Sequence, residues 1–92
     1  MSKILVVEDS KTQREMIANL LQSNQFEVVT AKNGVEAIAQ AEVLHPDLAI
    51  LDIVMPEMNG YELCRKLRDN PETWNINRPL AELKINPEQR KF

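Results

Sequence analysis

The amino-acid sequence predicts an α/β domain, a parallel sheet with helices on both faces. Two apolar runs carry that prediction. Ile4-Leu5-Val6-Val7 and Leu48-Ala49-Ile50-Leu51 lack the polar alternation of a strand wet on one side, which suits strands covered on both faces. The third observation is the order of the segments, strand and helix alternating as βαβαβα, which calls for a parallel sheet with right-handed crossovers.

After the first run and Glu8-Asp9, residues Ser10 to about Asn24 carry Met16, Ile17, Leu20 and Leu21 as an i, i+1, i+4, i+5 stripe, the mark of an amphipathic helix. Asp9 or Ser10 is placed to cap it, and Lys11 to Arg14 reads as an ordinary solvated helix face. Phe26 to Ala31 is a strand by its β-branched Val28, Val29 and Thr30, and Lys32-Asn33-Gly34 turns the chain. Asn33 with Glu36 resembles a capping box for a second helix, whose slim apolar face is Val35, Ala37, Ile38 and Ala41 and which Pro46 ends at about Leu44. Beyond the second apolar run and the Pro56 to Gly60 loop, Tyr61 to Arg68 forms a third helix. Its Leu63, Cys64 and Leu67 face inward, and Arg65, Lys66 and Arg68 complement its carboxyl end.

Ninety-two residues make one small domain, which buries only somewhat more than roughly 60% of its unfolded surface and so has a thin stability margin. The net charge of −3, from 11 basic and 14 acidic residues, gives no electrostatic reason to expect nucleic acid or an anionic membrane as a partner. The acid excess lies in residues 1–70. A single cysteine excludes an internal disulfide, and no signal-type segment or long apolar run is present, so a soluble, reducing, cytoplasmic setting is expected. Cys64 and the methionines Met16, Met55 and Met58 read as core or loop filling. His45, at a helix end before Pro46, reads as a partner for terminal carbonyls.

If the first strand lies between the second and third, the carboxyl ends of the first and third strands become neighbours. Glu8, Asp9 and Asp52 then meet at a topological switch point, where open α/β sheets bind their ligands. Crowded carboxylates either take up protons or hold a hard cation, and Mg2+ fits because it prefers oxygen ligands and commonly binds one or two carboxylates with phosphate oxygens. A carboxylate is also a nucleophile towards phosphorus. The bland reading stands beside this one: Glu8-Asp9 as a helix cap and Asp52 as a solvated strand end. No Gly-rich phosphate loop is present, which argues against a nucleotide-binding domain.

Lys3-Ile4-Leu5-Val6-Val7-Glu8-Asp9, together with Pro46-Asp47-Leu48-Ala49-Ile50-Leu51-Asp52-Ile53-Val54-Met55-Pro56-Glu57-Met58-Asn59-Gly60, resembles the receiver domain of two-component response regulators, the CheY-like family with a flavodoxin-like fold. The resemblance covers about residues 2 to 75. It implies a phospho-accepting module in which Asp52 is the phosphoacceptor. Glu8 and Asp9 are the acidic pair that holds Mg2+ with Asp52, and the backbone carbonyl of Val54 is a further metal ligand. It also implies a sensor histidine kinase or phosphotransfer protein as the partner, with the first helix as a main docking surface.

The chain departs from that family after its third helix, giving a partial receiver domain over 1–76 and an unmatched tail over 77–92. No fourth strand ending in Ser or Thr is recognisable, nor a fifth ending in Lys before Pro, and Lys84 lies in no matching motif. A natural short variant, a frameshifted or truncated product and an engineered fragment all fit the tail. Pro79 with Leu80 and Leu83 favours a short helix there, and Trp74 reads as an amphipathic anchor at its start. Two expectations follow. Phosphotransfer, if retained, is weak and self-catalysed; the alternative is a non-catalytic module that docks a kinase or pairs with another chain. With nothing recognisable to pair with the far side of the third strand, its open edge predicts a homo-oligomer.

Overall fold

The first strand takes the central position that the switch-point argument requires. The computed structural model of the chain describes residues 2–81, as β1 Lys3–Val7, α1 Lys11–Ser23, β2 Glu27–Ala31, α2 Gly34–Leu44, β3 Leu48–Asp52, α3 Gly60–Arg68 and β4 Leu80–Ala81. The sheet runs in the order β2-β1-β3-β4 and every pairing is parallel. Val7 stands opposite Ala31 on one side and Leu51 on the other, so the three long strands end level with one another.

Local chemistry sets the helix bounds. Ser10 caps α1, with its hydroxyl accepting from the Gln13 amide, and the Asn33 side chain caps α2 by accepting from Glu36 N at 2.8 Å. His45 ends α2 with a left-handed backbone, φ 46°, and its amide donates to Ala41 O, so its contact with the helix end is through the main chain. Asn59 caps α3, and three basic residues stand in its last turn.

α2 and α3 pack against each other on one face, and α1 alone lies across β1 and β2 on the other. The main core belongs to the first of these faces. It joins Leu5, Val7, Ala49 and Leu51 of the sheet to Ala37 and Ala41 of α2 and Leu63 and Leu67 of α3, with Met55 and Ile76 at its ends. Cys64 packs against this cluster, as its place on the inward stripe predicts.

Four expectations are corrected here. On α1, Ala18 is the buried residue, while Met16 and Leu20 of the apolar stripe are 52% and 63% exposed, because among the described residues no second helix flanks α1 on its face. On α2, Val35 is exposed and the helix approaches the sheet through Ala37 and Ala41 instead. Trp74 is also exposed. The segment after α3 is anchored by Ile76 in the core and by buried Thr73, whose hydroxyl donates to Leu67 O at 2.8 Å.

The last correction concerns the far side of β3, which is not an open edge. Ala49 N donates to Asn77 O at 2.8 Å and Leu51 N to Pro79 O at 3.2 Å, and β4 then pairs Leu80 with Leu51 and Ala81 with Asp52. Pro79 and Leu80 are therefore extended rather than helical. Proline is tolerated because an outermost strand needs only its inward-facing groups, and here the carbonyl of Pro79 is the group used. The homo-oligomer expected through an open third-strand edge loses its structural basis over Leu48–Asp52. Leu83 and Lys84 lie outside the described residues.

Candidate functional site

The site is built where β1 and β3 end. Glu8 continues the ladder by one bond, its amide donating to Ala31 O at 3.1 Å, and the chain then turns sharply into α1. Ser10 rather than Asp9 makes the cap, and Asp9 stands at the rim. Asp52 is the last residue of β3. Glu8, Asp9 and Asp52 each bring a carboxylate oxygen to a group in which all lie within 4.8 Å of one another.

Burial decides between the two readings of these acids. Glu8 and Asp52 are 0% exposed and Asp9 is half-buried, so Asp52 is no solvated strand end and Glu8 no surface cap. One Glu8 oxygen, Oε1, accepts from the Ser10 amide at 2.9 Å; the other, Oε2, is buried with no hydrogen-bond partner among the described residues. Burial, and then the neighbouring Asp52 and Asp9 carboxyl groups, push the Glu8 carboxyl up to about 8 despite the opposing Ser10 amide. Without a cation the cluster therefore holds a proton near neutrality.

The donor set suits Mg2+. Three carboxylate oxygens gathered within 4.8 Å of one another offer the hard oxygen ligands that such an ion takes. A divalent ion would also give the buried Glu8 Oε2 a partner and replace the shared proton as the source of compensating charge.

The β3–α3 loop closes the site from the other side. Val54 N donates to Asp52 Oδ1 at 3.1 Å, Met55 plugs the core beneath, and Glu57 takes a left-handed backbone, φ 67°, before Asn59 restarts the helix. The structure thus brings Glu8, Asp9 and Asp52 together and places Val54 against Asp52 through its amide. A cavity of about 220 Å3 opens beside the acids, lined by Asp9, Lys32, Asn33, Met55, Pro56 and Glu57.

Two residues at the rim escaped the sequence reading. Lys32 directly follows β2, and the level ends of the strands were the available signal for it. Arg14 is half-buried rather than part of a solvated face, and its guanidinium turns back to the Glu8 and Asp9 carbonyls.

The profile of the family described as "Response regulator receiver domain" matches residues 4–77, more than half of the chain. This chain belongs to the response regulator receiver family. Its sequence is 46% identical over 68 residues to the chemotaxis protein CheY of Listeria monocytogenes serovar 1/2a, covering 73% of this chain and 57% of that one. Across the curated relatives it matches, the chain spans between 16% and 60% of their lengths. Among solved structures, the N-terminal domain of a response regulator receiver protein from Methanoculleus marisnigri JR1 superposes with a TM-score of 0.86 at 29% identity, covering 97% of this chain and 73% of that one. The receiver domain of the sensor histidine kinase PA1611 from Pseudomonas aeruginosa PAO1 superposes with a TM-score of 0.80 at 25% identity, covering 86% and 65%; that structure has a magnesium ion coordinated in its active site cleft. The parallel sheet expected from βαβαβα, and the receiver fold that the resemblance implies, are therefore what the chain adopts, up to the short β4.

Proposed function

We propose that this receiver accepts a phosphoryl group on Asp52 from a phosphohistidine donor, with Mg2+ held by Glu8, Asp9, Asp52 and the carbonyl of Val54. The observation that carries the reading is the buried meeting of Glu8 and Asp52 with Asp9 at the ends of β1 and β3. The magnesium in the PA1611 receiver lends it support.

In the transfer, a carboxylate oxygen of Asp52 attacks phosphorus and forms the new P–O bond. The P–N bond to the donor imidazole breaks, its electron pair stays on the ring nitrogen, and a proton from solvent neutralises the leaving group. The Val54 amide fixes the carboxylate plane through Oδ1. Glu8 gives up the proton that it holds in metal-free protein, so cation loading is coupled to proton release. Bound Mg2+ would offset charge on the phosphoryl oxygens as it transfers.

The donor is a sensor histidine kinase or phosphotransfer protein, and the exposed Met16 and Leu20 on α1 support docking there. A cytoplasmic setting is part of the proposal; among the described residues no helix is long and apolar enough to cross a membrane. Transfer is slow, because no hydroxyl or lysine of the family pattern follows β3 to stabilise the phosphoryl oxygens, and each such group is worth about 3 kcal/mol.

The same gap favours the alternative, a module that docks a kinase without accepting phosphate. Incubation with Mg2+ and acetyl phosphate, read by intact mass, separates the two. Slow addition of one phosphoryl group, abolished by Asp52→Asn, is expected; no addition over hours, with Mg2+ binding intact, would establish the docking module instead.

A further inference from the structure

Arg14 lies four residues beyond the α1 cap and five beyond Asp9, on a turn whose polar face should look outward. Its side chain does not. Nη1 donates to the Glu8 carbonyl at 2.9 Å and, more weakly, to the Asp9 carbonyl at 3.4 Å. Arg14 N donates to Ser10 O at 2.8 Å, and Ser10 N donates to Glu8 Oε1 at 2.9 Å. These bonds close a ring that leaves the Glu8 carboxylate, passes through Ser10 and Arg14, and returns to the Glu8 carbonyl. With its amide held by Ala31 O, Glu8 is fixed at three points, and all three depend on residues outside the acidic pair.

A cation site needs such a tie. Three carboxylates drawn within 4.8 Å repel one another unless charge is compensated, so the β1–α1 corner that presents two of them has to be held against that repulsion. Hydrogen bonds from a charged guanidinium are stronger than neutral ones, and here one planar nitrogen, Nη1, reaches two neighbouring carbonyls from a rigid group whose direction is set by its plane.

We propose that Arg14 is a positioning residue for the cation site, holding the β1–α1 corner in the conformation that presents Glu8 and Asp9 to a divalent ion beside Asp52. The inference rests on the cation-site reading above. Loss of the tie lowers the fraction of molecules with a competent corner, and the apparent affinity falls by that fraction.

The test is Mg2+ titration by NMR or calorimetry of the wild type, Arg14→Met and Arg14→Lys, each with its metal-free melting curve. Arg14→Met keeps the stem and the helix propensity but has no donor; it is expected to weaken Mg2+ binding about tenfold or more, the scale seen when support of a metal ligand is lost. Arg14→Lys recovers only part. A merely structural role would lower the melting temperature and leave the affinity of the folded protein unchanged, which would overturn the proposal. Full recovery by Arg14→Lys would also overturn it, by showing that any cation on helix α1 at this place suffices without the guanidinium's own placement on the two carbonyls. If Arg14→Met does not fold, Arg14→Lys carries the test, and wild-type affinity in that variant is the overturning result. A wild type that ignores millimolar Mg2+ would sink the cation-site reading itself, an outcome distinct from all of these.

Discussion

On the side of the sheet shared by α2 and α3, Leu5, Val7, Leu51, Leu63 and Leu67 are all buried, and Met55 and Ile76 close the ends of the cluster. On the side of α1, Ile4 and Val6 are covered, yet Ala18 is the one helix residue buried among those described; Ile50 is half-buried, and Met16 and Leu20 face outward. Both sides rest on the same strands, so strand sequence does not explain the difference. Two helices that touch each other seal a face, whereas one helix covers β1 and β2 and leaves the flank over β3 thin. Folding energy is accordingly concentrated on one face, and the acidic site sits at the rim common to both.

The most direct way to break this comparison is the same substitution on each face. Leu63→Ala removes a side chain that is 0% exposed from the centre of the sealed face, and alanine favours helix at least as well as leucine, so the effect isolates packing. A loss of about 2–5 kcal/mol is expected. For a domain of this size each kcal/mol lowers the melting temperature by about 4–8 °C, so the variant should be largely unfolded well below the wild-type transition. Thermal and urea melts check it; a loss under about 1 kcal/mol would mean that the face is less tightly packed than its burial indicates.

The rim sharpens the comparison through pH. The Glu8 carboxyl is held at about 8 in the fold against 4.5 as its ordinary value, so between those limits the folded state binds more protons than the unfolded chain. Stability then falls as pH rises, because its slope follows the protons bound by the unfolded state minus those bound by the folded state. The contribution is intact below about pH 4.5 and is lost progressively up to about pH 8 in metal-free protein. Glu8→Gln is neutral throughout. It should match the wild type at low pH and exceed it increasingly towards pH 8, while binding Mg2+ more weakly. Urea melts at several pH values check this, and parallel curves for the two proteins would show that Glu8 ionises freely.

The parts of this molecule that were legible in the sequence are those with a local cause. Apolar and β-branched runs marked the strands, Ser10 and Asn33 started helices with their own side chains, and the two acid-terminated strands led to the switch-point site. Residues governed by their neighbours were not legible. The stripe Met16, Ile17, Leu20, Leu21 states that α1 has an apolar side but not whether a second helix will flank it. Val35 lies on an apolar stripe, yet Ala37 and Ala41 are what let α2 come close to the sheet. β4 has little strand propensity of its own; the unpaired amides of β3 recruit Asn77 and Pro79, so the neighbour's need for acceptors makes the strand. Arg14 is legible only once its long side chain is seen to fold back onto the corner it supports.

The smallest expected effect is Leu20→Ala, the counterpart of Leu63→Ala on the thin face. Leu20 is 63% exposed and among the described residues no second helix lies beside α1, so little apolar surface is lost from cover when the side chain is cut back, and helix propensity does not oppose the change. The stability change should stay within about 0.5 kcal/mol, the range of ordinary surface substitutions. That smallness makes it informative. A loss approaching that of Leu63→Ala would mean that Leu20 is covered in solution, and the two faces would not differ as described. Light scattering on the wild type at tens of micromolar would then name the cover. A dimer that Leu20→Ala dissociates would place a second copy on α1, restoring self-association on a different surface from the third-strand edge; a monomer unaffected by the substitution would mean that the chain itself supplies the cover.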